Sequence, residues 1–198
     1  MDNLRDLGIG DGDGFSAEDL SVRWDHGLSV ASLRYFDSGG AFAVGVGEVL
    51  GGPLPPPLRA HRRPSTETGT KSAGSELVLA WRSPTETLLV TADAGWLAEA
   101  GRFAATRFDG CLIDQTGGIL SLVVAGARAP DLLLRLGSTD AIPMPGEART
   151  GRLAELSVMS LCTRPGEVLL LAERVYARHL IGWIRETVAD FKETGAPG

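Results

Sequence analysis

Residues 153–191 read LAELSVMSLC TRPGEVLLLA ERVYARHLIG WIRETVADF, and the way this stretch divides decides the fold class. Leu156, Val158 and Leu161 with their polar neighbours make a rough period-two run, the pattern of a half-buried strand. Pro165-Gly166-Glu167 turns the chain, and Val168-Leu169-Leu170-Leu171 begins an apolar run of strand length. A helix follows. Tyr176, Leu180, Trp183, Thr187 and Phe191 recur every three or four residues, which predicts one apolar face buried largely through its aromatics, with Arg178, Arg185 and Glu186 mostly off it. Each large side chain fully buried there is worth about 1.5–3 kcal/mol.

Working outward, the unit has an earlier counterpart. Pro84-Thr85-Glu86-Thr87-Leu88-Leu89 matches Pro165-Gly166-Glu167-Val168-Leu169-Leu170 in proline, glutamate and both leucines. Each copy follows a strand-like run, Glu76 to Trp81 or Leu156 to Cys162. Each precedes a helical pattern, with Trp96, Ala100 and Phe103 answering Tyr176, Leu180 and Trp183. The shared order predicts a structural repeat, although any βα unit with a Pro-x-Glu turn has a similar pattern.

The remaining segments fit the same grammar. Leu28 to Tyr35 alternates as a half-buried strand, and Ala41 to Val46 reads as a second strand or the start of a helix. Glu76 to Val90 is a hairpin, and Ala94 to Arg107 a helix with Trp96, Leu97, Phe103 and Ala104 inward. Cys111 to Asp114 and Ile119 to Val124 are strands joined by the turn-prone Gln115-Thr116-Gly117-Gly118. Ala129 to Gly137 is a short helix with proline in its first turn and glycine just past its end. Residues 138–149 read as a Pro/Gly loop. The order ββα, three times over from 76 to 191, predicts an α+β fold: an antiparallel sheet with packed helices and repeated ββα units.

The chain of 198 residues suits one α+β domain over 26–192, with a poorly ordered Gly- and Asp-rich tail at 1–25 and a short tail at 193–198. Residues 53–75 read as a long Pro-rich loop. Hydrophobic content of 43% and charged content of 22% are those of a soluble globular protein. The net charge of −6 argues against a nucleic-acid binder that relies on phosphate neutralisation. No apolar run has the length of a membrane span, and the first residues lack the pattern of a signal peptide. Cys111 and Cys162 make no disulfide framework, so a cytoplasmic location is expected.

Motifs that carry chemistry are sparse. Asp11-Gly12-Asp13-Gly14 resembles the start of a calcium loop, but its twelfth position is Val22, where a glutamate is needed. Gly45-Val46-Gly47 resembles part of a dinucleotide fingerprint, but Pro53 and Pro55-Pro56-Pro57 leave no room for the long helix that would face a pyrophosphate. His61-Arg62-Arg63 reads as a solvated basic patch, or as a phosphate or carboxylate site. His26, His61 and His179 share no metal-ligand spacing. Asp93 and Asp114 end strands, where either a catalytic acid or ordinary turn chemistry is found. Cys111 reads as a buried strand cysteine, with a nucleophile as the alternative. No catalytic, cofactor-binding or metal-binding residue is therefore expected.

Four stretches, in order, resemble the gamma subunit of heterotetrameric sarcosine oxidase. They are Leu28 to Arg34 with Ala43-Val44, Val49-Leu50-Gly51 and Leu54-Pro55; Leu79 to Leu89, similar to a Trp-x-x-Pro-x-Glu-x-Leu-Leu pattern; Asp114-Gln115-Thr116 with Ile119 to Gly126 and Ala129 to Leu136; and Leu171 to Ala177 with Trp183 and Phe191. The resemblance implies a fold like the folate-binding domain of the aminomethyltransferase, the glycine-cleavage T-protein. It implies a non-catalytic structural subunit that assembles with alpha, beta and delta subunits. Those partners would carry FAD, FMN, NAD and tetrahydrofolate, with no cofactor in this chain. The complex would demethylate sarcosine to glycine and pass the one-carbon unit to tetrahydrofolate. An alternative is a stand-alone folate-binding or one-carbon-transfer protein of the T-protein superfamily. Gly110-Cys111-Leu112-Ile113-Asp114-Gln115 is faintly similar to the Gly-Cys-Tyr-x-Gly-Gln signature of folate-dependent iron–sulfur repair proteins. A structural domain of unrelated context is a third reading.

Overall fold

The computed structural model describes residues 14–64 and 76–193. In chain order the first elements are β1 (Gly14–Ala17), β2 (Leu20–Trp24), β3 (Ser29–Tyr35), α1 (Ala41–Val49), β4 (Ala60–Pro64), β5 (Glu76–Ser83), β6 (Glu86–Thr91) and α2 (Ala94–Ala104). Then come β7 (Gly110–Asp114), β8 (Ile119–Ala125), α3 (Ala129–Leu136), β9 (Glu147–Leu153), β10 (Leu156–Arg164), β11 (Glu167–Glu173) and α4 (Ala177–Glu193). The chain divides into two compact units where one domain was expected. A mid-chain unit comprises Gly27–Gly117 with Gly146–Ala148, and a terminal unit comprises the residues up to His26, Gly118–Pro145 and those from Arg149 on.

The mid-chain unit is a five-stranded antiparallel sheet in the order β4-β5-β6-β3-β7. Ala31, Leu33, Leu77, Leu79 and Leu89 alternate onto one of its faces and meet Phe42, Val46, Trp96 and Ala100 of α1 and α2 in one apolar cluster. The helices pack closely because α1 carries glycines on its contact face. A Cβ at Gly45 would sit 2.6 Å from the Phe103 ring, and one at Gly47 would sit 2.9 Å from the Gly52 carbonyl. These two glycines serve packing within a helix and form no phosphate loop.

The terminal unit is a six-stranded sheet in the order β1-β2-β8-β11-β10-β9. Its core joins Val22, Leu122, Val158 and Leu170 of the strands to Leu132, Leu133, Leu180 and Ile184 of α3 and α4. The Arg128 and Arg135 guanidiniums lie 4.1 and 4.3 Å from the Phe191 ring centroid, a cation–π clasp between α3 and α4.

Several expectations change. The tail expected over 1–25 includes β1 and β2, and β2 pairs in register with β8 (Val22 opposite Val124). The earlier part of the tail, with Asp11-Gly12-Asp13, lies outside the described residues, and Val22 is a buried strand residue. The loop expected over 53–75 contains β4, which pairs with β5 along Ala60–Pro64; residues 65–75 lie outside the described residues. Ala41 begins a helix. The loop expected over 138–149 runs into β9.

The threefold ββα order fails at its middle member. β7 pairs with β3, whereas β8 pairs with β2 and β11, so the two never form a hairpin. The Gln115 amide donates to the Val30 carbonyl at 2.8 Å and ties the connecting residues to β3. The hairpins β5–β6 and β10–β11 do form, each with a register shift before its Pro-x-Glu turn.

The apolar face of α4 is also rotated from its expected position. Ala177, Leu180, Ile181, Ile184, Val188 and Phe191 are buried, while Tyr176 and Trp183 are 47% and 50% exposed. Arg174–Tyr176 is a 3-10 turn ahead of the helix, so Tyr176 does not set the helical phase. No helix among the described residues is long and apolar enough to cross a membrane.

Candidate functional site

The hairpin glutamate singled out by the sequence organises one end of the mid-chain sheet. Register places Cys111 of β7 opposite Arg34 of β3, Arg34 opposite Glu86 of β6, and Glu86 opposite Ser83 of β5. The Glu86 carboxylate accepts from Ser32 Oγ at 2.6 Å and from Arg82 Nη1 at 3.1 Å, and it lies 3.8 Å from Arg34 Nη2. Its side chain is only 12% exposed, and these partners compensate for its desolvation. Nearby, the Tyr35 hydroxyl and Thr87 Oγ1 are 2.9 Å apart, and burial pushes the tyrosine up from its ordinary pKa.

The loop entering β7 closes the other wall. Asp109 Oδ2 accepts from the Phe42 amide at 3.0 Å in the first turn of α1, satisfying a donor that the helix cannot pair itself. Gly110 makes this approach possible. A Cβ there would fall 2.4 Å from the Phe42 ring and 2.7 Å from the Arg34 carbonyl.

Between these walls lies a cleft of about 500 Å³, lined by Arg34, Tyr35, Phe36, Thr85, Glu86, Phe108, Asp109, Gly110 and Cys111. Phe36 and Phe108 are 83% and 102% exposed. The two exposed aromatics flank one cleft, and aromatic residues are enriched among the hot spots of protein interfaces. The Glu86 carboxylate is held by a serine hydroxyl and two arginines, and the Asp109 carboxylate by a helix-end amide. A second groove of about 560 Å³ runs along Pro53–Pro57, with Val44, Trp81 and Pro84 among its walls.

The residues proposed from sequence do not converge. Asp93 accepts from the Gly95 amide at 2.8 Å and caps α2. Asp114 accepts from the Thr116 amide at 2.9 Å, a hydrogen bond that holds its carboxyl below the usual range. Both perform turn chemistry. His179 Nε2 lies 2.9 Å from the Ala154 carbonyl oxygen. The His61 imidazole is held below its ordinary pKa by burial and by the Arg63 and Arg59 charges.

The basic patch is half-buried and its arginines are paired. Arg62 pairs with Glu76, and Arg63 donates to the Leu50 carbonyl at 2.6 Å and to the Pro53 carbonyl, covering the C-terminal end of α1. Cys111, expected to be buried, is exposed beside the cleft. Among the described residues no group of three or more His, Cys, Asp or Glu is placed to hold a metal ion.

Sequence reasoning missed Phe36 and Phe108. A signal was present: Phe36-Asp37-Ser38-Gly39 and Phe108-Asp109-Gly110 each place an aromatic directly before turn residues, outside any apolar period.

No family model matches the sequence, and no curated protein matches it. Solved structures do. The chain is similar to a chain of the heterotetrameric sarcosine oxidase from Corynebacterium sp. U-96 in complex with pyrrole 2-carboxylate. The TM-score is 0.75 at 17% identity, covering 93% of this chain and 91% of that one. It is also similar to the glycine cleavage system aminomethyltransferase T from Bartonella henselae. There the TM-score is 0.56 at 15% identity, covering 81% of this chain and 45% of that one. At these identities the likeness is one of fold: two antiparallel sheets and four helices in a T-protein-like arrangement.

Proposed function

We propose that this chain is a non-catalytic, gamma-like subunit of a sarcosine oxidase-type complex in the cytoplasm. In this reading it packs on alpha, beta and delta partners that carry FAD, FMN, NAD and tetrahydrofolate. The complex serves sarcosine catabolism and one-carbon metabolism, demethylating sarcosine to glycine and passing the one-carbon unit to tetrahydrofolate.

The observation that carries the proposal is the near end-to-end likeness to one chain of a heterotetrameric sarcosine oxidase, which aligns over nine-tenths of both chains. The two are therefore of similar length. The exposed aromatic cleft supports it, because a surface of that kind fits a subunit covered in an assembly.

Co-expression with the neighbouring reading frames, affinity purification on this chain and absorption spectroscopy test it. A flavin-coloured complex that consumes oxygen with sarcosine is the expected result. A colourless chain that purifies alone and ignores those frames would overturn it.

The second reading, a stand-alone folate-binding or one-carbon-transfer protein, draws on the likeness to aminomethyltransferase T and on Cys111 lining the cleft. It predicts saturable tetrahydrofolate binding by the isolated chain that weakens in Cys111→Ala. Titration without saturation, or with no difference in the variant, sinks it.

A further inference from the structure

The cleft of the mid-chain unit holds two opposite charges side by side, and neither is fully used. Arg34 and Glu86 stand opposite each other on β3 and β6. Arg34 Nη2 lies 3.8 Å from Glu86 Oε1, an ion pair too long for a hydrogen bond. Among the described residues the Arg34 guanidinium therefore donates no hydrogen bond, and its side chain is 55% exposed. The contacts of Glu86 with Ser32, Arg82 and Arg34 all converge on Oε1. Oε2 accepts from none of the described residues, although the side chain is only 12% exposed. A guanidinium has five N–H donors and a carboxylate accepts through both oxygens, so each group keeps much of its capacity.

An ion pair on an open surface leaves such capacity to water. This pair lines a cleft of about 500 Å³, a volume within the range of small-molecule sites, beside the Phe36 and Phe108 rings. The charges in and around the cleft balance: Arg34 and Arg82 against Glu86 and Asp109. A ligand of one sign would meet its own sign there, while a ligand carrying both signs meets a partner for each.

We propose that the cleft binds a free α-amino acid with an apolar side chain. Its carboxylate takes the Arg34 guanidinium, a charge-assisted pair. Its ammonium donates to Glu86 Oε2, and its side chain lies against the Phe36 and Phe108 rings. Charges one carbon apart match a guanidinium and a carboxylate in contact, whereas a peptide carries its terminal charges at opposite ends. The proposal goes beyond the subunit reading and does not rest on it, because it assigns this chain a ligand of its own.

Calorimetric titration of the full chain with L-phenylalanine and L-leucine tests the proposal. Saturable binding with a Kd below about 1 mM is expected. Hydrocinnamate lacks the ammonium and phenethylamine lacks the carboxylate. Each should bind at least about tenfold more weakly than L-phenylalanine. Arg34→Gln should weaken amino-acid binding about tenfold or more, and Phe108→Ala about threefold. The thermal transitions of both ligand-free variants should stay near that of the parent chain, since both side chains are largely exposed.

Titration without saturation by either amino acid overturns the proposal. So does phenethylamine or hydrocinnamate binding as tightly as L-phenylalanine, because the ligand is then not read by both charges. Saturable binding unchanged in both variants places the ligand outside the cleft and overturns it as well. Partner capture is measured separately, so the loss of either reading leaves the other standing.

Discussion

The imidazole Nε2 of His179 lies 2.9 Å from the carbonyl oxygen of Ala154, and this contact holds a strained turn. Ala154 and Glu155 connect β9 to β10 with φ of 49° and 63°, the left-handed region that costs a non-glycine residue about 1–2 kcal/mol. The Ala154 amide donates to the Leu136 carbonyl at 2.6 Å, and Arg152 Nη2 donates to the Glu155 carbonyl at 2.8 Å. Neighbouring groups therefore over-determine the turn. Glu155→Gly should stabilise the chain by about 1 kcal/mol in urea unfolding, since its lost ion pair is exposed. His179→Ala should destabilise it by about 0.5–1.5 kcal/mol.

The two hairpin glutamates matched by sequence differ in what they hold. Glu86 accepts two hydrogen bonds and faces a second arginine from a nearly buried position. Glu167 makes one partly exposed ion pair with Arg164 at 4.0 Å. Glu86→Ala is expected to cost about 1.5–3 kcal/mol, and Glu167→Ala less than about 1 kcal/mol. Equal losses in chemical denaturation would refute this ranking.

Close approach separates two glycines. Gly110→Ala forces a Cβ against the Phe42 ring and the Arg34 backbone carbonyl and should cost about 1–3 kcal/mol, read as a lower thermal midpoint. Gly182 lies within α4, and a Cβ there would meet no atom within 4 Å, so Gly182→Ala should stabilise the chain by about 0.5–1 kcal/mol.

Two groups set opposite ends of the acid side of the stability profile. His61 has a folded pKa below 6.5 because burial and the Arg63 and Arg59 charges disfavour its cation. The unfolded chain takes up that proton first, so the contribution is complete above 6.5 and is lost as pH falls toward the depressed folded value. Asp114 has a folded pKa below 3.8 because the Thr116 amide and hydroxyl favour its carboxylate. Its contribution is complete above 3.8 and is lost as pH falls through the folded value. Urea unfolding followed against pH should show the first decline removed in His61→Gln and the second in Asp114→Asn.

Much of the secondary structure was legible because local pattern and burial agree there. β3, β5, β6, β10, β11, α2 and α3 follow apolar periods bounded by proline or glycine. β1, β2, β4 and β9 escaped because their signals are not local. The β1–β2 and β9–β10 turns place Asp19, Ala154 and Glu155 at positive φ without an Asn-Gly or Asp-Gly marker, and β4 is an arginine-rich edge beside prolines.

By itself the sequence determined the α+β class and the two Pro-x-Glu hairpins, since each depends on residues a few positions apart, while the turn roles of Asp93 and Asp114, open in the sequence, were settled by their hydrogen bonds. Only the tertiary structure decided that β7 and β8 belong to different sheets, that α4 turns Trp183 toward solvent, and that Phe36, Glu86 and Phe108 share one cleft. Those outcomes depend on which distant segments compete to pair and pack, and strand pairing brings together residues whose separation along the chain leaves no period to read.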